Sequence, residues 1–246
     1  VFVGDGYGEN QRIITEAFTG KKLEMNSLPV VSRMGTNNAI GKTTDSAASG
    51  TALACGVKTG NGMIGVTPDE KPVESISKAL KKSGFKIAII SSSPLTDATP
   101  AAHYANQKSR SMGDQIGEEM AKSGFDFFGG GVVGGKNTLT LLAYNGYDVL
   151  TGTDSLAKVK KNQKTYVNSQ PYTRWNFAEK EEEGLTLADY AAKAIELLKD
   201  NPQGFFIMLE NGHTDYAGHS NDSGKLVREV LALDEAVKVA LDFQAK

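Results

Sequence analysis

The sequence predicts an α/β protein with a largely parallel central sheet and helices on both faces. Three observations lead there. Compact apolar runs alternate with stretches of helical period along the 246 residues. Turn-forming residues punctuate the boundaries between them. Three of the apolar runs lead into an acidic residue, at Asp5, Asp97 and Glu210, on the side where the carboxyl ends of parallel strands gather ligands.

Val1-Phe2-Val3 opens the chain as a short strand, ended by the turn Gly4-Asp5-Gly6. Residues 45–57 are rich in alanine and other small residues and predict a helix. Pro72 to Ser83 reads as the next helix, with proline near its start and Gly84 as its stop. Phe85 to Ile90 is a compact apolar strand that runs into Ser91-Ser92-Ser93-Pro94. Ser111 to Ser123 predicts a helix, and Phe125-Asp126-Phe127-Phe128 a strand closed by Gly129-Gly130-Gly131. From Leu185 to Lys199 the residues Leu187, Tyr190, Ala191, Ala194, Ile195 and Leu198 fall at helical spacing. A strand from Gly204 to Leu209 follows, and an amphipathic helix from Lys225 to Gln244 closes the chain. The polar, aperiodic stretch from Lys158 to Glu183 predicts a variable excursion from the core. No internal repeat is visible.

Composition narrows the function classes. A net charge of -2, from 27 basic and 29 acidic residues, gives no electrostatic case for a nucleic-acid partner. One cysteine, Cys55, rules out an internal disulfide and a cysteine-based metal cluster; among small neighbours in a helix it reads as a buried apolar residue. No run is long and apolar enough for a membrane span. The chain opens inside an apparent strand, so the absence of a signal peptide is uninformative about an upstream leader.

Three strands that bring carboxylates to one edge call for a cation or a partner, because a buried carboxylate is costly without one. Asp215 and His219 stand four apart, one helical turn, and would share a face toward a metal ion, five residues after Glu210. The available oxygen and nitrogen donors suit a hard cation beside a borderline one. Ser46 would lie at a helix N-terminus, where backbone N–H groups and the helix dipole favour an anion. A serine hydroxyl needs a base or a metal to become a nucleophile. From this segment alone two readings stay open: Ser46 as nucleophile, and Ser46 as a plain N-cap of a closely packed helix. His103 and His213 read as polar network or surface residues.

Four motifs together are similar to those of the alkaline phosphatases. Asp45-Ser46-Ala47-Ala48 with Thr51-Ala52 and Gly56-Val57-Lys58-Thr59 resembles their nucleophile segment, and Gly4-Asp5-Gly6 their first metal-binding turn. Asp97-Ala98-Thr99-Pro100-Ala101-Ala102 and the spacing Glu210, Asp215, His219 match two more, in the same order over nearly the whole chain. The resemblance implies hydrolysis of phosphate monoesters to inorganic phosphate, with two zinc ions and one magnesium. It implies that Asp5 bridges two metal sites and that Ser46 attacks phosphorus. Asp215 and His219 would hold the first zinc, and Glu210, Thr99 and Asp5 the magnesium, with Asp97 just behind them. Arg110 falls where the family keeps its phosphate-clamping arginine, a planar group able to grip two oxygens. A homodimer in the periplasm, or secreted, is implied as well.

Two departures qualify the resemblance. Asn211-Gly212 follows Glu210 where the family more often has two small residues, and Tyr216 stands where members vary. No Asp-His dipeptide occurs, nor the later histidine that the family uses for zinc. The expectation is therefore a single α/β domain over 1–246 that is the N-terminal portion of a longer one, incomplete at the C-terminus and a poor enzyme alone. The competing readings are a phosphodiesterase of the same superfamily and a non-catalytic metal- or phosphate-binding module. A sulfatase is disfavoured by its differently spaced motif.

Overall fold

The strand Lys86–Ser91 contains the apolar run Ile87-Ala88-Ile89-Ile90, in which every side chain is completely buried. A strand buried on both faces belongs inside a parallel sheet with helices above and below. The computed structural model, which describes residues 1–169 and 184–245, has that arrangement. Its first half runs β1 (Phe2–Gly4), α1 (Glu9–Thr19), a 3-10 turn (Glu24–Ser27), α2 (Ser46–Cys55), α3 (Ile76–Lys82), β2 (Lys86–Ser91) and α4 (Ala98–Ala101). There follow α5 (Gly113–Lys122), β3 (Phe127–Gly130), α6 (Thr138–Tyr144), β4 (Asp148–Thr151), α7 (Ser155–Lys158) and β5 (Thr165–Asn168). The last part is α8 (Leu187–Leu198), β6 (Phe205–Asn211), α9 (His213–His219) and α10 (Ser223–Gln244).

Among the described residues the sheet has six strands in the order β1-β6-β2-β3-β5-β4, every pair parallel. Alternation along β2 sorts the layers. Ile87 and Ile89 pack with Ala47 of α2, Ala101 of α4, and Ile116 and Met120 of α5. Ala88 and Ile90 face the other way, onto Tyr190 and Ala194 of α8 and Leu233 and Ala236 of α10. Each isoleucine so buried stabilises the fold by about 1.5–3 kcal/mol before entropy is charged.

Several boundaries differ from the sequence reading, each for a local reason. The helix expected from Pro72 begins at Ile76. Ser75 caps it by accepting from Lys78 N–H, while Pro72 and Val73 pair instead with Val66 and Gly65. The strand expected from Phe125 begins at Phe127, because the Asp126 carboxylate turns back to accept from Ile87 N–H and from Lys81 Nζ. Gly129 and Gly130, expected to close that strand, lie inside it. A Cβ on Gly129 would come within 2.6 Å of the Tyr190 ring, so glycine lets α8 press directly on the sheet. The excursion expected over 158–183 contains β5, which sits between β3 and β4 with Thr165, Tyr166 and Val167 buried; residues 170–183 lie outside the described residues. None of the described helices is long and apolar enough to cross a membrane.

Truncation of Ile90 to alanine is expected to cost about 2–5 kcal/mol in a denaturant melt, since the site is sealed on both sides. The same change at half-exposed Ile13 should stay within about 0.5 kcal/mol. Equal losses at the two positions would contradict the layering.

Candidate active site

The register brings the acidic residues together. Val3 lies opposite Glu210 across β1 and β6, and Glu210 lies opposite Ser91 across β6 and β2. Asp5, one residue beyond β1, is tied down by its own N–H, which donates to Asn211 C=O at 3.1 Å. Gly6 has φ +61, and a Cβ there would lie 2.6 Å from Asp215 Oδ1. Glycine is thus required twice in that turn, for the left-handed backbone and for the close approach of α9. Glu210 is inside β6 rather than after it, and only 1% exposed. Its Oε2 accepts from the Ser91 hydroxyl at 2.5 Å and the Ser93 hydroxyl at 3.2 Å, and Thr99 donates to the same carboxylate. Burial nevertheless pushes this carboxyl up to about 7, with the charges of Asp5 and Asp97 adding to the shift.

The two readings of Ser46 separate on geometry. Asp45, not Ser46, is the N-cap of α2: its Oδ1 accepts from Ala48 N–H and its Oδ2 from Gly62 N–H, both at 2.9 Å. Ser46 is the first helical residue, and its hydroxyl is left to donate to the Asp5 carboxylate, 2.9 Å from Oδ2 and 3.1 Å from Oδ1. The small residues of α2 serve its approach to the sheet. A Cβ on Gly50 would meet Thr99 Cα at 3.1 Å, so α2 lies against α4 with nothing between. Burial raises the Asp5 carboxyl above its ordinary value; the Ser46 hydroxyl opposes this, and Asp215 and Asp97 reinforce it.

Ser46, Asp5, Asp97, Arg110 and Asp215 line one cavity of about 480 Å3. Arg110 Nη2 donates to Asp97 Oδ1 at 2.7 Å, and Nη1 stands 3.7 Å from Asp45 Oδ2. Burial works against the charge of this guanidinium, and the Asp97 carboxylate more than offsets it, so the group is held above its ordinary range. Asp97 Oδ2 accepts from the Tyr216 hydroxyl at 3.3 Å. Asp215 and His219 share the face of α9 expected of them, with Nε2 and Oδ2 3.5 Å apart and the imidazole 80% exposed.

Every candidate catalytic or metal-ligating residue named from the sequence therefore reaches this end of the sheet, yet not as closed ligand sets. Among the described residues no three His, Cys, Asp or Glu side chains form a metal-holding group. The potential ligands pair off instead, Asp5 with Ser46 and Asp215 with His219. The donor chemistry still fits cations: four carboxylates, Asp5, Asp45, Asp97 and Asp215, share the cavity with one guanidinium and one imidazole, and no thiolate.

The family profile for alkaline phosphatase matches residues 1–130 and 117–246. The chain belongs to the alkaline phosphatase family. It is 33% identical to alkaline phosphatase 4 of Bacillus subtilis over 82% of its own length and 46% of that protein. Against the alkaline phosphatase of Schizosaccharomyces pombe the identity is 29%, over 100% of this chain and 52% of the relative. The solved alkaline phosphatase of the Antarctic bacterium TAB5 superimposes with a TM-score of 0.88 at 29% identity, covering 98% of this chain and 73% of that one. A variant of the TAB5 enzyme with magnesium bound in its M3 site gives 0.85. The chain thus spans about half the length of the first curated relatives it matches.

Sequence reasoning missed the groups that hold the acids in place. Ser91 and Ser93 were given no role beyond following the apolar run, and they solvate Glu210. Asn211 was read as a departure; it is fully buried, donates to Glu229 C=O at 2.8 Å and Oε2 at 3.1 Å, and accepts from Ser92 at 2.8 Å. Gly212 could have signalled this crowding, since a Cβ there would lie 2.5 Å from Ser93 Oγ. His103 is buried with Nδ1 2.7 Å from the Ser77 hydroxyl, and burial lowers it to about 4. Burial likewise lifts the thiol of half-buried Cys55 to about 11.

Glu210 supplies a test. Its folded-state value lies above the ordinary 4.5, so the folded protein holds this proton more tightly than the unfolded chain. In metal-free protein, stability should be fullest below about pH 4.5 and fall as pH rises toward 7, and Glu210→Gln should flatten that limb. Urea melts across the range check this; an unchanged slope in the variant would show that Glu210 is not the group concerned.

Proposed function

We propose that this chain carries the phosphoryl-transfer residues of an alkaline phosphatase that hydrolyses phosphate monoesters through a phosphoserine at Ser46. One observation carries the reading: Ser46 presents its hydroxyl to both Asp5 oxygens, at the N-terminus of a ten-residue helix, in the cavity that also holds Arg110. The reading is supported by a hydroxyl, a helix end that favours anions and a guanidinium able to grip two oxygens, all around one volume.

In this reading Arg110 exchanges its contact with Asp97 for two oxygens of the phosphate and orients the phosphorus toward Ser46. The Ser46 oxygen attacks in line as its proton leaves along the hydrogen bond to the Asp5 carboxylate and passes to the departing ester oxygen. The new O–P bond forms as the ester O–P bond breaks, and the alcohol leaves. Water then attacks the phosphoserine from the opposite side, releasing inorganic phosphate and restoring the hydroxyl. The N-terminal N–H groups of α2 face the charge that develops on the phosphoryl oxygens.

Asp5, Thr99 and Glu210 would hold magnesium, with Asp97 behind them, and Asp215 and His219 would hold one zinc, with Asp5 and Ser46 reaching toward a second. When bound, such ions supply Lewis acidity, lowering the affinity of nearby oxygens for protons and offsetting phosphate charge. The acidic excess of the cavity supports this part of the reading, as does the magnesium of the TAB5 variant. A homodimer in the periplasm, or secreted, is carried over from the family as part of the same proposal.

The nucleophile is tested in the full-length protein supplied with zinc and magnesium. Ser46→Ala should lower turnover of an aryl phosphate by several orders of magnitude, leaving the melting temperature near that of the parent. Retained turnover would end the assignment. Chelation should abolish turnover of the parent protein, and returning the two metals should restore it. Diester and sulfate esters should be turned over far more slowly than the monoester.

A further inference from the structure

The Arg110–Asp97 contact has an unusual form. A guanidinium meeting a carboxylate tends to close as a fork, with two parallel N–H···O bonds. Arg110 makes one such bond to Asp97, from Nη2 to Oδ1 at 2.7 Å. The other oxygen, Oδ2, accepts from the Tyr216 hydroxyl at 3.3 Å. Asp45, on the other side of the guanidinium, is also occupied: its two oxygens take Ala48 N–H and Gly62 N–H and stay 3.7 Å from Nη1. Both carboxylates that flank Arg110 thus have competing donors, and among the described residues the guanidinium donates only the one bond to Asp97.

The tyrosine is held for this task from behind. Its ring packs on His213, with centroids 5.4 Å apart and planes inclined at 39°. His213 is anchored by its N–H, which donates to Asn211 Oδ1 at 3.0 Å, and its Nδ1 lies 3.8 Å from the buried Glu229 carboxylate of α10. A chain of contacts therefore runs from the buried end of β6 and α10, through two aromatic rings, to the carboxylate that shares Arg110.

We infer that Tyr216 is a positioning residue that keeps Asp97 from closing on Arg110 as a fork, so that the guanidinium stays free to take a phosphate dianion. The inference rests on the phosphatase reading and deepens it: phosphate affinity in this chain depends on a tyrosine that need not touch the phosphate. Without the hydroxyl, Asp97 Oδ2 turns to a second Arg110 N–H, and phosphate must break two charge-assisted bonds instead of one.

The test uses the full-length, metal-loaded protein. Inorganic phosphate is titrated by calorimetry, and KM and kcat are measured on an aryl phosphate. The parent should bind phosphate and Arg110→Ala should lose it. Tyr216→Phe should weaken phosphate binding about five- to tenfold, the scale of one lost competing hydrogen bond. The weakening should appear in KM more than in kcat, with the melting temperature unchanged. Tyr216→Phe combined with Asp97→Asn should recover the affinity, because a neutral amide cannot form the two-point ion pair; a merely structural role for the ring would not be rescued in this way. A parent that binds no phosphate, or an Arg110→Ala variant that binds as well as the parent, overturns the phosphatase reading and this inference with it. If Arg110→Ala loses phosphate while Tyr216→Phe binds like the parent, or the double variant fails to recover, the inference on Tyr216 is overturned and the reading of the site stands.

Discussion

Mutual repulsion among carboxylates at one edge of the sheet governs the rest of this structure. Asp5, Asp45, Asp97 and Asp215 share a cavity with Arg110, and Glu210 is buried just behind them. Like charges a few ångströms apart in a partly dry site repel by several kcal/mol each unless neutralised. The protein meets this in a different way at each position. Glu210 takes serine and threonine hydroxyls, Asp45 takes backbone N–H groups, Asp97 takes Arg110 and Tyr216, and Asp5 takes Ser46. The remaining surplus of negative charge is what a divalent cation would relieve, and the hydroxyl given to Asp5 is the one proposed above as the nucleophile.

Close packing is the second requirement, and it follows from the first. Carboxylates on β1, β6 and the loop after β2 converge only if the covering helices come down hard on the sheet edge. Glycines at the contacts allow this: Gly6 under Asp215, Gly50 against α4, Gly129 under Tyr190 and Gly212 against Ser93. A side chain at Gly6, Gly50 or Gly212 would push apart elements that hold the acids, and one at Gly129 would lift α8 off the sheet. The small-residue content of α2 is therefore a consequence of where Ser46 has to stand, as well as of helix propensity.

Much of this was legible in the sequence. The long apolar strands and the last two long helices were readable from periodicity, because burial on both faces of β2 and on one face of α8 leaves a strong signature. Asp5, Ser46, Asp97, Thr99, Glu210, Asp215 and His219 were found through strand ends and motif spacing, and the structure brings them to one end of the sheet. The short pieces were not readable. β4 and β5 have four residues each, with Asp148 opening β4 and Lys164 just before β5, too brief for any period to emerge, and so β5 was taken for part of an excursion. The supporting shell was hidden for another reason. Ser91, Ser93, Asn211 and Tyr216 act through partners more than one hundred residues away, and local patterning carries no trace of such pairings.

The phosphoryl group itself gives the most direct test of this account. Full-length, metal-loaded protein mixed with a phosphate monoester and quenched in acid should carry one phosphoryl group. Mass spectrometry of its peptides should place that group on Ser46. Phosphate found on another residue, or turnover without any phosphorylated peptide, would contradict the claim that the acids of this sheet edge are gathered to serve that one hydroxyl.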